Sequence, residues 1–338
     1  MAAQGAREIF FKCPPKAKRK FLSKRKFLAI SKKAREFPGM RTFWISAWMG
    51  LLGCGLAAAG PLRVTALHPL LADLAQQVGG DRVQILDMVG EGGNPHLYEP
   101  RPADLKKMQS SSLILAGGKN LEPYLDRLKA ALVTVPVAEV GRTIPSLTVG
   151  KDAVYTCCPQ HAHSTLDPHW WHGIDNMRRA ARVVAKEFTS LDPAGKSSYE
   201  SNAAAYGAQL ADLKKWARAE LAKVPRGQRK LVTAHNAFGY FAKEFGFEVI
   251  AIDGLTHEQN TTPQDRARTI ESVRKSGVRA VFPEQGSARK PLEAIAAATG
   301  TRIGRPLIAD GNGTGANAGF VGMIRHNVAA ITEALAGS

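Results

Sequence analysis

From Pro61 onward the chain alternates short apolar runs with stretches in which apolar residues recur every three or four positions. Leu62 to Leu67 reads as a strand and His68 to Val78 as a helix, followed by a strand from Val83 to Met88. Pro102 to Gln109 reads as a short helix, Leu113 to Ala116 as a strand, Leu121 to Leu132 as a helix and Val133 to Val137 as a strand. A regular alternation of strand and helix predicts a parallel sheet with crossover helices. The pattern lapses into a loop from Arg142 to Asp167 and returns as a helix over Asn176 to Phe188.

The next segment is the most periodic in the chain. Asp192-Pro193 makes a helix start, with the carboxylate as cap and proline in the first turn. Tyr199, Ala203, Tyr206, Leu210, Leu213, Ala217 and Leu221 then fall on one face, at alternating steps of four and three. A helix from 193 to about 223 would run roughly 45 Å, long enough to act as a strut. Beyond it the alternation repeats. Strands are expected at Lys230–Thr233, Glu248–Ile252, Ala280–Pro283 and Arg302–Gly304. Helices are expected near Phe238–Phe245, Pro263–Ser276, Arg289–Thr299 and Phe320–Leu335. The fold class is therefore α/β: two lobes, each a parallel sheet flanked by helices, joined by one long rigid helix. The expected divisions are an N-terminal lobe at 60–192, a linking helix at 193–224 and a C-terminal lobe at 225–338.

The 338 residues suit two lobes, and 44% hydrophobic with 22% charged residues is a globular balance. The net charge of +17 suggests a nucleic-acid partner until its distribution is read. Residues 1–41 hold thirteen Lys and Arg against two Glu, a net of +11, which leaves the remainder mildly basic at +6. No stripe of Lys and Arg interleaved with aromatics follows, so no nucleic-acid partner is expected. Met40 and Arg41 precede the apolar run Phe43 to Gly53, and Ala57-Ala58-Ala59 offers a small-residue cleavage site. This is the layout of a secretory signal over 40–59 and predicts an extracytoplasmic protein. Residues 1–39 are then read as an over-extended basic leader, with Met40 the true start. Cleavage after Ala59 gives a soluble product. The alternative is lipid anchoring at Cys54, in the lipobox-like Leu51-Leu52-Gly53-Cys54. Of the four cysteines, only the adjacent Cys157 and Cys158 lie in the expected mature chain, and neighbouring cysteines pair poorly.

In open α/β sheets, ligand groups gather beyond the carboxyl ends of strands. His96, His169, His235 and Asp310 occupy such loops, two in each half of the chain. A single histidine there is ordinarily structural, but three imidazoles and a carboxylate together make a four-coordinate set suited to zinc. His68, His257 and His326 read as structural or surface residues. His172 reads as a partly exposed loop residue or an alternate ligand.

Several stretches, in order, carry a resemblance: Pro69 to Leu74 with Val78 to Asp81, Pro95-His96-Leu97-Tyr98-Glu99-Pro100, Asp167-Pro168-His169-Trp170, Thr233 to Phe241 and Met323 to Asn327. From about Val64 to Ala330 the chain resembles the zinc- and manganese-binding solute-binding proteins of ABC importers. That resemblance implies two α/β lobes on a long helix, with one metal ion per chain held by His96, His169, His235 and Asp310. It also implies delivery to the membrane permease of a metal importer, no enzymatic activity and a monomer. Glu284 matches an acid of the family near the site and is expected to hold a ligand imidazole. Asn94 departs from the family, which commonly has Asp before Pro-His. Relatives that favour manganese often carry Glu at the third ligand position. His235 there makes Zn2+ the expected ion, with Mn2+ the alternative, because imidazole suits zinc better than the harder manganese. Zinc-binding relatives often carry a His-rich loop before the second ligand. Here it is short and holds His161 and His163, which either capture zinc transiently or belong to an exposed, mobile loop. A secreted metallohydrolase is the alternative from another class, and would need an open coordination position.

Overall fold

The computed structural model describes residues 60–90, 93–148, 166–252, 263–311 and 313–336. The leader and signal expectations, Cys157, Cys158, His161, His163 and His257 lie outside these residues.

The first half runs β1 (Leu62–Ala66), α1 (Pro69–Gly79), β2 (Val83–Asp87), α2 (Pro102–Met108), β3 (Leu113–Ala116), α3 (Leu125–Ala131), β4 (Val137–Glu139) and α4 (Ile174–Leu191). The strands form a parallel sheet in the order β2-β1-β3-β4, with Leu62 opposite Val83 and Ala66 opposite Leu115. All four β3 residues are buried, as expected of a strand covered on both faces. After the long helix α5 (Lys196–Leu221), the second half runs β5 (Lys230–Thr233), α6 (Gly239–Phe245), β6 (Glu248–Ala251), α7 (Pro263–Ser276), β7 (Ala280–Phe282), α8 (Lys290–Thr299), β8 (Arg302–Ile303) and α9 (Gly319–Leu335). Its strands repeat the same parallel order, β6-β5-β7-β8.

Local chemistry fixes the main elements. His68 caps α1: its Nδ1 accepts the Leu70 N–H at 3.0 Å, and Pro69 opens the first turn. Asp192 accepts from Gly195 N–H, the Tyr199 hydroxyl and Arg82, which joins the start of the α5 segment to the foot of the first sheet. The whole predicted stripe of α5, from Tyr199 to Leu221, is buried. At 26 residues the helix is about 39 Å long.

Several ties cross between the halves, two of them through α5 and α9. Lys214 on α5 reaches Asp175 of α4 at 2.5 Å and Glu244 of α6 at 2.8 Å. Helix α9 packs on α5 and α1, and Asp73 of α1 accepts the Phe320 N–H at the start of α9 (2.8 Å).

Two elements differ from expectation. The strand expected at Val133–Val137 is Val137–Glu139, and Val133 is 84% exposed. Pro136 has no N–H to give a ladder, so pairing starts after it. The helix expected from Leu121 starts at Leu125. Lys119 and Asn120 take positive φ, and Pro123 disfavours helical geometry at Glu122. The Glu122 carboxylate instead accepts the N–H groups of Gly117 and Gly118.

Candidate metal centre

The carboxyl ends of the two sheets face one crevice, and each candidate donor stands on a loop leaving a strand end. Beyond β2, Asn94 Oδ1 accepts the His96 N–H (2.9 Å) within a tight turn, which turns the imidazole inward. Before α4, Asp167 accepts both the backbone N–H of His169 (2.9 Å) and its ring Nδ1–H (2.8 Å). Beyond β5, Glu284 does the same for His235, taking the backbone N–H at 3.0 Å and Nδ1–H at 2.5 Å. A ring that donates through Nδ1 presents Nε2, the ligating atom, in a fixed direction. Asp310 follows Ile308, whose N–H and C=O are both held by the Asn327 side chain of α9.

These loops bring His96, His169, His235 and Asp310 together, with one donor atom from each lying within 4.8 Å of the others. His96 Nε2 is 3.1 Å from His169 Nε2 and 3.3 Å from Asp310 Oδ1. His169 Nε2 is 3.7 Å from Asp310 Oδ1, and His235 Nε2 is 3.4 Å from Asp310 Oδ2. Bonds of ~2.0–2.1 Å to a tetrahedral zinc imply donor–donor edges of about 3.4 Å. The four distances above bracket that edge, as expected of donors around a single small cation. Both oxygens of Asp310 are turned toward imidazoles.

The electrostatics of the cluster are divided. Burial pushes His169 well below the ordinary histidine range, and the neighbouring His96 and His235 rings add to that. For His235, burial acts downward, but Glu284 and Asp310 outweigh it and hold the ring well above its usual value. Burial would raise Asp310, yet His235 and His96 keep its carboxyl well below the usual carboxylate range. Burial raises Asp167 to about 7. His235 and Asp310 thus each favour their charged form beside the other.

Other histidines do different work. His172 is not exposed and lies outside the donor cluster: its ring is fully buried and donates through Nε2 to the Ala309 carbonyl at 2.9 Å. Burial lowers it to about 4, so it is neutral at ordinary pH. His68 is buried against Trp171 and caps α1, while His326 donates to the Pro306 carbonyl. Glu284 holds the His235 imidazole, and Asp167 holds that of His169 in the same way. The signal for Asp167 was its place two residues before His169, the spacing at which a carboxylate can take both the N–H and the ring Nδ1–H. A cavity of about 320 Å³, lined by Asn94 and Leu97 on one side and Gln285, Asp310 and Thr314 on the other, leads from solvent to Asp310.

Two α/β units meeting at a buried cluster of three imidazoles and a carboxylate define a metal-binding protein of the two-lobed capture type. Residues 64–334 match the family described as zinc-uptake complex component A, periplasmic. The chain belongs to that family, and is by that membership a metal-binding substrate-binding protein of the ABC-importer kind. The manganese-binding lipoprotein MntA of Bacillus subtilis (strain 168) is 32% identical over 310 residues, covering 88% of this chain and 99% of MntA. The iron-binding protein YfeA of Yersinia pestis is 30% identical over 252 residues, 75% of this chain and 78% of YfeA. Among solved structures, the periplasmic zinc binding protein TroA from Treponema pallidum superposes with a TM-score of 0.73 at 27% identity. That match covers 82% of this chain and all of TroA.

Proposed function

We propose that the chain captures one divalent transition-metal ion per molecule, zinc ahead of manganese, and delivers it to the membrane permease of an ABC importer. His96 and His169 are the ligands from the first lobe (60–192), His235 and Asp310 those from the second (225–338), with 193–224 as the joining helix. The observation that carries this reading is the donor set itself, with its atoms within 4.8 Å of one another, four separations of 3.1–3.7 Å among them, and two imidazoles braced by buried carboxylates. Asp167 and Glu284 are engaged on Nδ1 atoms, where they orient ligands rather than activate water, so capture is favoured over hydrolysis. The protein works as a monomer outside the cytoplasm, exported by the signal at 40–59, with Cys54 as the alternative lipid attachment point. His161 and His163 assist by holding zinc transiently.

Metal analysis of purified protein tests this directly. About one zinc per chain is expected, with loss in His235→Ala. Full retention in a triple alanine variant of His96, His169 and His235 would end the reading. One observation favours manganese as the second candidate. Both Asp310 oxygens face imidazoles, so a bidentate carboxylate would give five donors, closer to what manganese takes than a tetrahedron. Competition between the two ions at equal free concentration separates them.

A further inference from the structure

The carbonyl oxygen of Ala309, the residue just before Asp310, accepts two hydrogen bonds from the opposite lobe. Trp171 donates through Nε1 at 2.9 Å and His172 through Nε2 at 2.9 Å. All three residues are buried. A carbonyl has two lone pairs, and both are used here.

The setting gives these bonds their importance. Ile308 is pinned by Asn327 from within its own lobe. After Asp310 the chain runs through Gly311, Gly313 at φ +65° and Gly315 at φ +56°, a segment with little conformational restraint of its own. The planar Ala309–Asp310 peptide is thus the last fixed unit before the carboxylate, and its orientation is set across the crevice. Trp171 and His172 occupy the short turn that follows the ligand His169. The Trp171 ring also lies edge-on to His169, 5.2 Å between centroids, and the His172 ring rests against Phe238 of the second lobe at 4.5 Å. His169 and the three-residue turn that follows it thus join a ligand of the first lobe to the clamp on a ligand of the second.

We propose that Trp171 and His172 are positioning residues that latch the Asp310 peptide to the first lobe, so that the carboxylate is set before metal arrives and metal release requires the latch to open. The inference rests on the capture reading above. It assigns His172 a role separate from ligation: none of its atoms belongs to the donor set.

The test is the rate at which zinc-loaded protein gives up its ion to excess chelator, read by stopped flow. His172→Phe keeps the ring and removes one donor, and should release zinc about five- to tenfold faster. The Trp171→Phe, His172→Phe double variant leaves a buried carbonyl unsatisfied and should release it on the order of a hundredfold faster. His172→Gln, which restores an N–H in reach of the carbonyl, should return to within about threefold of wild type, and thermal unfolding of the metal-free forms is followed in parallel. A residue needed only for packing would lower the melting temperature and leave the release rate alone, and that result overturns the latch. So does His172→Gln releasing as fast as His172→Phe. Should His172→Phe fail to fold, Trp171→Phe alone decides, and a release rate within twofold of wild type overturns the proposal. Wild-type protein that binds no zinc, or binds it equally well as Asp310→Ala, overturns the capture reading instead.

Discussion

Glu284 takes hold of His235 at two points, its backbone N–H and its ring Nδ1–H, so one carboxylate fixes both the position and the tautomer of the imidazole. Glu284→Gln keeps the shape and removes the charge. Zinc affinity is expected to fall ten- to a hundredfold, as measured by competition with a chromophoric chelator. Asp167→Asn should cost a similar factor through His169. An unchanged affinity in both variants would remove the bracing carboxylates from the account.

Metal must displace a proton. Glu284 and Asp310 outweigh burial and raise His235 above its ordinary value, so the free protein carries this ring protonated at neutral pH. Binding needs it neutral. Zinc uptake at pH 7 should therefore release about one proton, visible as a dependence of calorimetric binding enthalpy on the ionisation enthalpy of the buffer. The sign follows: below the raised value, affinity falls as pH falls, by roughly tenfold per unit for one competing proton. His169 is lowered and already neutral, so it adds nothing to this release.

Lys214 ties the two lobes from the C-terminal half of α5. Its ammonium is 14% exposed and lies against Glu244, itself largely buried, and Asp175, which is 46% exposed. Truncation leaves Glu244 without this cation, while Asp175 keeps Arg178 at 3.4 Å. The Asp175 arm is screened by solvent, so Lys214→Ala should destabilise the metal-free protein by only about 1–2 kcal/mol in chemical denaturation. Zinc stoichiometry is expected to stay at one.

Leu210 is fully buried in the α5 stripe. Leu210→Ala should cost about 2–5 kcal/mol of stability through lost burial and a cavity. Saturating zinc should recover much of that, about 4 kcal/mol when free zinc is a thousandfold above its dissociation constant. The same zinc should leave the melting temperature of Asp310→Ala nearly unmoved.

Much of the fold was legible because its helices and strands announce themselves by period. The stripe from Tyr199 to Leu221 and the repeated strand–helix alternation led directly to two parallel sheets and one long helix. Errors fell where a proline and a local side-chain bond overrode hydrophobic pattern: Pro136 delayed β4, and Glu122 with Pro123 delayed α3. At the site, position beyond the strand ends marked His96, His169, His235 and Asp310 as candidates, and the family resemblance, more than spacing, singled them out as a set. His172 could not, because nothing local says that a histidine three places after His169 will be buried against a carbonyl 137 residues away. Long-range contacts of that kind leave no trace in a single sequence.

The bond from Phe320 to Asp73 joins positions 247 residues apart, and through it the final helix closes over the first. Until α9 has been made and released, α1 and α5, which also pack on α4, lack one of the helices that cover them. Completion of the first lobe thus waits for nearly the entire chain. A polypeptide threaded through an export channel from its N-terminus would stay loose during passage and consolidate only after its last segment had crossed.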